Sequence, residues 1–410
     1  MLSILPLATA IASAAAAGPL RTDRLIFPLN PQHNHASCIV ALPHGDLLAC
    51  WYRGSGERTA DDVAILGSRL RKGRTRWTEP FVLANTPGFP DCNPCMIVDR
   101  KSVLWLFWPV ILNNEWESAL LRYQTSSDYQ RGAGAPRWTG GGVVLLKPGQ
   151  EFTDGVQANL AKSWQPFAAK ASPADQAKLK EYLTDRTRAA GDKLRMRLGW
   201  MPRPRPVQFN DGRLFLPLYS DLFDFSLIAF SDDDGRTWRV SAPIVGPGNV
   251  QPSLARRKDG TLVAFFRDNG PPPQRVLISE SIDHGLTWTR PEDTVLPDPG
   301  AGVEIVVLRS GKWVLINNDT ESERDSLALT VSDDEGRTWS RKCHLEHDVD
   351  PGEHGSYSYP SIIQASDGLI HITYTYTPNG ATRTKLGPGK SIKHVTINEA
   401  WLAANAAPLR

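Results

Sequence analysis

A surplus of charge of either sign is the first thing this chain lacks. Its 46 Lys and Arg stand against 44 Asp and Glu, a net charge of +2. No long-range field therefore draws it to nucleic acid or to an anionic membrane. No extended basic run is present either, and nucleic-acid binding is excluded on that ground. Cysteine is scarce: five in 410 residues, too few for a disulfide scaffold and odd in number. Cys92 and Cys95 have CxxC spacing, but no second pair or His pair follows at zinc spacing. They read as a local disulfide or as two buried thiols, and Cys38 and Cys50, on neighbouring expected strands, form another candidate pair. No metal motif and no cofactor motif appears. Long apolar runs are missing outside the N-terminus. There, residues 2–17 are apolar and end in Ala15-Ala16-Ala17 before Gly18, an A-x-A-like cleavage site, with no Lys or Arg ahead of them. The stretch is too short to span a membrane. It predicts a signal peptide over residues 1–17 and a secreted or periplasmic protein, with one domain over residues 18–410.

What the chain has in quantity is turn-formers and indoles: 33 Gly, 32 Pro and 13 Trp. That balance suits many short strands joined by tight turns. Three segments repeat one pattern, S-x-D-x-G-x-T-W, at residues 231–238 (SDDDGRTW), 281–288 (SIDHGLTW) and 332–339 (SDDEGRTW). Their tryptophans, Trp238, Trp288 and Trp339, lie 50 and 51 positions apart. Degenerate copies occupy residues 68–77 and 127–138. A period near 50 with strands between suits one four-stranded propeller blade per repeat. The chemistry of the repeat is structural. Asp accepts backbone N–H bonds and fixes a turn, Gly supplies a left-handed position, and Trp fills the gap between blades. Asp233, Asp283 and Asp334 are therefore turn-makers at the outer rim, not catalysts.

Between the repeats run hairpin signals, two apolar strands around a D-G or similar turn. Six can be counted, with turns at Gly45, after Val98, and at Gly212, Gly260, Gly311 and Gly368. The expected fold is thus all-β, a six-bladed β-propeller with four-stranded blades and Asp-box turns. The N-terminal strand near residues 25–28 is expected to complete the last blade and close the ring. One interval breaks the period: Trp138 and Trp238 lie 100 apart. Ser172-Pro173 reads as a helix start, and residues 174–190 as a polar helix ending at Gly191. Residues 147–198 are read as a helical insertion over the propeller face, a candidate substrate rim. The alternative is a seventh, degraded blade.

Repeated Asp boxes at this spacing resemble the sialidase (neuraminidase) superfamily of propellers, over residues 24–397 apart from the insertion. The resemblance implies three Arg that grip a carboxylate, a Tyr nucleophile, a Glu that activates it and an Asp acid/base. Tyr359 matches the nucleophile, leading to Asp367-Gly368 at the family spacing. Arg267, after the Asp259-Gly260 hairpin, matches the second Arg. Arg324, eight residues before Ser332, matches the third. Bidentate Arg contacts suit a carboxylate. The first Arg is missing, and His35 stands in its place, two residues after His33 on one expected strand face. The activating Glu corresponds to Gln251, which cannot act as a base, and Glu304 one blade on is the substitute candidate. The acid/base loop is residues 54–62, with Glu57, Asp61 and Asp62 all candidates.

Further candidates are Arg203 and Arg205, as channel or rim cations, and His354, near Tyr359. Each candidate has a packing alternative. The His pair can pack blades, Tyr359 can fill core, and Arg267 can end a hairpin in an ion pair. Trp105, Trp108, Trp116 and Trp200 can stack on sugars or fill the core. Three functions follow. One is a retaining exo-glycosidase acting on a terminal acidic sugar through Tyr359. Another is a uronate-specific polysaccharide lyase using His and Tyr for β-elimination. The third is a non-catalytic glycan-binding propeller. The expected partner in all three is an acidic glycan, and the sequence does not address oligomeric state.

Overall fold

The computed structural model describes residues 18–348 and 353–409. The expected signal peptide at residues 1–17 lies outside the described residues. Six antiparallel sheets are arranged as the blades of a propeller. Blade 1 runs His33–Ala41, Leu47–Gly54, Ala64–Leu70 and Phe81–Ala84, and blade 2 runs Cys95–Val98, Leu104–Ile111, Ala119–Ser126 and Gly140–Val143. Blade 3 holds Val207–Gln208, Leu214–Ser220, Phe225–Ser231 and Arg239–Val240. Blade 4 holds Asn249–Arg256, Leu262–Asp268, Arg275–Ser281 and Glu292–Pro297. Blade 5 is Glu304–Val307, Trp313–Asn317, Ser326–Ser332 and Arg341–His347, extended at its outer edge by Ala407–Pro408. Blade 6 is Ser356–Gln364, Ile370–Thr377, Ser391–Ile397 and, outermost, Arg21–Leu25. The ring is thus closed by the N-terminal strand, as expected, but through Arg21–Leu25, paired from Arg21 with Ile397 to Leu25 with Lys393. The residues that follow Leu25 leave the ladder, and Ile26 and Phe27 bury with Trp51 and Ile392 instead.

The box residues act as their chemistry requires. Asp334 accepts from Thr338 N at 2.8 Å, from Thr338 Oγ1 at 2.7 Å and from Ser332 Oγ at 2.8 Å. Two of the three box tryptophans make ring contacts back to the preceding blade. Trp238 meets Phe107 of blade 2 at 5.8 Å, and Trp339 meets Phe265 of blade 4 at 5.6 Å. The degenerate boxes do the same: Trp77 meets His394 of blade 6 at 5.1 Å, and Trp138 donates to Leu83 O of blade 1 at 3.0 Å. Edge-to-face aromatic contacts and large apolar burial hold the blades together.

The irregular interval is a helical insertion, and the seventh-blade alternative falls. It contains helices Gln150–Ala168, Pro173–Ala189 and Lys193–Arg197. Ser172 caps the middle helix by accepting from Asp175 N, as the Ser-Pro start predicts. The helix Gln150–Ala168 is an addition to the expectation. Its buried Phe152, Val156, Leu160 and Ser163 fall at helical spacing, but Gly149 supplies no side-chain cap and Gly155 and Pro166 interrupt the pattern. Phe152 packs on Trp200, Phe223 and Phe225, which fastens the insertion to blade 3. All five cysteines are buried thiols. Cys92 and Cys95 follow the second of their two readings, and Cys38 faces Cys50 across the first hairpin unbridged.

Candidate active site in the central channel

The inner strand of each blade enters the channel at an equivalent position. Six residues lie nine positions before the left-handed residue of their blade's first hairpin turn: Ala36, Asn93, Arg203, Gln251, Gly302 and Tyr359. The turn residues are Gly45, Ser102, Gly212, Gly260, Gly311 and Gly368. Four of the six channel residues have positive φ: Ala36 at 55°, Asn93 at 41°, Gln251 at 56° and Tyr359 at 53°. In blades 1, 4 and 6 the ladder register breaks at this point, as at a β-bulge. A left-handed non-glycine residue costs roughly 1–2 kcal/mol, and such strain concentrates where a side chain is being aimed. The sequence carries a signal of this ring in Asn93-Pro94, Arg203-Pro204, Gln251-Pro252 and Tyr359-Pro360, a residue-Pro step at one fixed distance from four of the six turns.

Tyr359 is the centre of the cluster. Its phenol oxygen accepts from Arg267 Nη1 at 3.1 Å and from Gln251 Nε2 at 3.2 Å. The guanidinium groups of Arg203 and Arg324 lie 5.1 Å and 5.7 Å from its ring centroid, and His35 meets the ring edge-on at 4.3 Å. Gly302 allows the close approach. A Cβ there would stand 2.9 Å from Arg203 Nε, 3.0 Å from Gln251 Oε1 and 3.1 Å from Tyr359 Cδ1. Arg203 is 2% exposed and donates to Pro360 O at 2.7 Å, so it holds charge beside the phenol from within the wall. Arg324 donates to Gly300 O at 2.8 Å. Burial works against the Arg267 cation, but Tyr359, Tyr219, Asp298 and Asp221 around it hold its pKa above the ordinary value.

Beside Tyr359 stands the blade 1 group. His33 and His35 are 5.4 Å apart, ring to ring. Glu57 Oε1 accepts from Tyr52 OH at 2.5 Å and lies 2.9 Å from His33 Nε2. Burial alone would raise the Glu57 pKa, but the hydrogen bond from His33, the nearby His35 and Tyr52 pull it down to about 2. Burial drives the His35 pKa well below its usual value, so the ring is neutral, with Nδ1 engaged by Thr375 Oγ1 at 2.9 Å. Lys390 Nζ lies 3.4 Å from His33 Nδ1.

Of the three loop carboxylates, the structure brings Glu57 to the His pair. Asp62 is committed to the loop itself, accepting from Ser55 N at 3.0 Å and Ser55 Oγ at 2.9 Å. Asp61 is exposed and takes Asn114 Nδ2 at 3.0 Å. Glu304 is buried and paired with Arg205 Nε at 2.9 Å. Burial raises its pKa against the pull of Arg205 and Arg203. Its carboxylate is thus paired with Arg205, while the phenol is met by Gln251. His354 is paired with Asp325 at 2.7 Å on the exposed rim. Trp105, Trp108 and Trp200 are core residues, and Trp116 is partly exposed under Arg58 at 5.4 Å.

Several site residues carried no sequence signal. Tyr219 and Tyr52 sit in apolar strands and read as core. Tyr219 OH accepts from Asn93 Nδ2 at 3.2 Å. Asp221, at the end of the same blade 3 strand, is pushed up to about 6 by burial, against the pull of Arg267. Among the described residues, no group of three or more His, Cys, Asp or Glu is placed to hold a metal ion. No helix among them is long and apolar enough to cross a membrane.

The model of the BNR repeat-like domain family matches residues 45–150 and 188–372 of the chain. The chain belongs to that family. The unmatched interval, residues 151–187, falls on the helical insertion of this BNR-repeat propeller. A sialidase of Micromonospora viridifaciens is 24% identical over 394 residues, covering 90% of this chain and 52% of the sialidase. The chain therefore spans about half the length of that curated relative. Among solved structures, a protein of unknown function from Dyadobacter fermentans superposes with a TM-score of 0.67 at 15% identity, covering 93% of this chain and 99% of that one. The NanB sialidase of Streptococcus pneumoniae gives 0.65 at 13% identity, covering 92% of this chain and 70% of that one. These place the BNR-repeat propeller in the sialidase superfamily of folds.

Proposed function

We propose that this protein is an exported enzyme that removes a terminal acidic sugar from a glycan, as a retaining exo-glycosidase with Tyr359 as nucleophile. The observation that carries the reading is the phenol of Tyr359, on a strained inner-strand bulge, held by Arg267 and Gln251 and flanked by Arg203 and Arg324. Arg267 and Arg324 take the sugar's carboxylate. His35 Nε2 removes the phenol proton as Oη bonds to the anomeric carbon, and the bond to the leaving oxygen breaks. The proton shared by His33 and Glu57 passes to that oxygen. Water then attacks the glycosyl–tyrosine and returns a proton to the His33–Glu57 pair, while the departing phenolate oxygen, met by the donors Arg267 and Gln251, takes back its proton from His35. The relatives named as sialidases support the substrate class. The apolar stretch at residues 2–17 supports export, which N-terminal sequencing of the mature protein tests.

One observation favours a second reading. Gln251, not a carboxylate, meets the phenol, and a neutral His35 stands at its ring. That set suits a lyase, in which the arginines neutralise a uronate carboxylate, His35 takes the C5 proton and Tyr359 protonates the leaving oxygen. A panel of sialylated and uronate-bearing glycans separates the readings. Hydrolysis releases reducing sugar alone, whereas elimination also yields an unsaturated, ultraviolet-absorbing uronate. Binding without cleavage assigns the chain to glycan recognition and overturns both enzymatic readings.

A further inference from the structure

The helical insertion is tied to the channel by an unbroken run of hydrogen bonds. Arg267, whose Nη1 reaches Tyr359, donates from Nη2 to Asn269 Oδ1 at 3.0 Å. Asn269 Nδ2 donates to Asp224 Oδ1 at 2.9 Å. The other oxygen, Asp224 Oδ2, accepts from Tyr182 OH of the helix Pro173–Ala189 at 3.3 Å. Arg186, one turn on, stacks on the Tyr182 ring with its Cζ 3.4 Å from the centroid. Asp224 itself has φ 58°, a left-handed position that a non-glycine side chain adopts at a cost. Its backbone is held by a bond from its N–H to Ser220 O at 2.8 Å. The insertion is also anchored independently, through Ser163 Oγ to Val245 O at 3.2 Å and through Phe152 in the blade 3 core.

We infer that the insertion is a positioning element for Arg267, with Asn269 and Asp224 as the positioning residues and Tyr182 as the contact that couples the helix to them. A guanidinium turns easily about its last bonds. One Nη on the phenol and the other on a fixed amide lock its plane, which a bidentate grip on a carboxylate requires. The sequence Asn269–Asp224–Tyr182 extends that lock to a helical segment that the propeller repeat does not account for. As regards substrate, the inference rests on the reading of Arg267 as a carboxylate ligand.

Asn269→Ala tests it, because the change is neutral and lies on the exposed loop. The probes are free sialic acid and free glucuronic acid, read by calorimetry. Loss of one hydrogen bond to the arginine is expected to weaken binding about fivefold, with a smaller loss in Tyr182→Phe. In an Arg267→Ala background neither change should have any further effect. Asn269→Asp is not a rescue, since it would oppose Asp224, but Asp224→Asn keeps an acceptor for Asn269 and should restore most of what Asp224→Ala loses. A substrate-free readout accompanies this: the Nη resonances that vanish in Arg267→Ala should be separate in the wild type and merged by rotation in Asn269→Ala. Wild-type affinity and unmerged resonances in Asn269→Ala, or an equal loss with and without Arg267, overturn the inference. If the wild type binds neither acid, the proposed function fails, and the resonances alone decide the positioning role.

Discussion

At Tyr359 three kinds of interaction converge on one aromatic ring: two donors at its oxygen, two cations near its face and a neutral imidazole at its edge. Tyr359→Phe removes only the oxygen. It should leave the thermal midpoint close to the wild type and abolish turnover of an acidic glycan. Arg267→Ala removes a charge-assisted contact worth roughly 1.5–3 kcal/mol, so KM for an acidic sugar should rise about tenfold to a hundredfold. A neutralised methyl ester of the same sugar should lose little, and an unchanged KM for the acid would contradict the clamp. Gly302→Ala adds one carbon within 3.1 Å of Arg203, Gln251 and Tyr359. Turnover should fall although the residue touches no reacting atom, and full activity would show that the three side chains shift freely. Tyr359, Arg267, Arg324 and His35 were legible in the sequence because motif and turn spacing mark them. Tyr219, Tyr52 and Lys390 were not, since their chemistry comes only from neighbours in other strands or other blades.

Elements divide between those that build the ring and those that serve the channel. The Asp boxes belong to the first kind. Asp334→Ala deletes three accepted hydrogen bonds at an outer turn. It should lower the thermal midpoint by a few degrees and leave kcat of the remaining folded protein unchanged; a selective loss of kcat would contradict a purely structural box. The boxes and hairpins were readable because their Gly and Asp requirements are local. The first insertion helix was not, because its buried face, Phe152, Val156 and Leu160, lacks a side-chain cap and a charged outer stripe to frame it. The closing strand was misplaced by a few residues, since Ile26 and Phe27 are more apolar than the Arg21–Leu25 strand that pairs. Their burial against Trp51 competes with the ladder for the same apolar signal.

For the whole molecule, the seam between blades 6 and 1 contributes to the response to acid. His371 and His394 of blade 6 are stacked at 5.3 Å and share a 3.2 Å contact, with Trp77 of blade 1 on His394. Burial pushes His371 down to about 4, with Asp367 opposing it. Burial and the neighbouring His371 push His394 down to about 3, with Arg24 adding to the fall and Asp23 opposing it. Between those values and the ordinary histidine range the unfolded chain binds more protons than the folded one. The stability this pair contributes is therefore complete above about pH 6.5 and is lost as pH drops toward 4. Chemical denaturation from pH 7 to pH 4 should show more stability lost in the wild type than in a variant with both histidines replaced by Gln. A decline of the same steepness in the double variant would place the acid response elsewhere.

The account as a whole stands on Tyr359 acting as a nucleophile on an acidic sugar. The most direct measurement is the intact mass of the protein quenched during reaction with a fluorinated glycosyl fluoride of an acidic sugar, followed by peptide mapping. The account predicts one added sugar on the peptide that carries Tyr359, and none in Tyr359→Phe. Turnover of the same sugar with no adduct on that peptide, or continued turnover by the Phe variant, would contradict it.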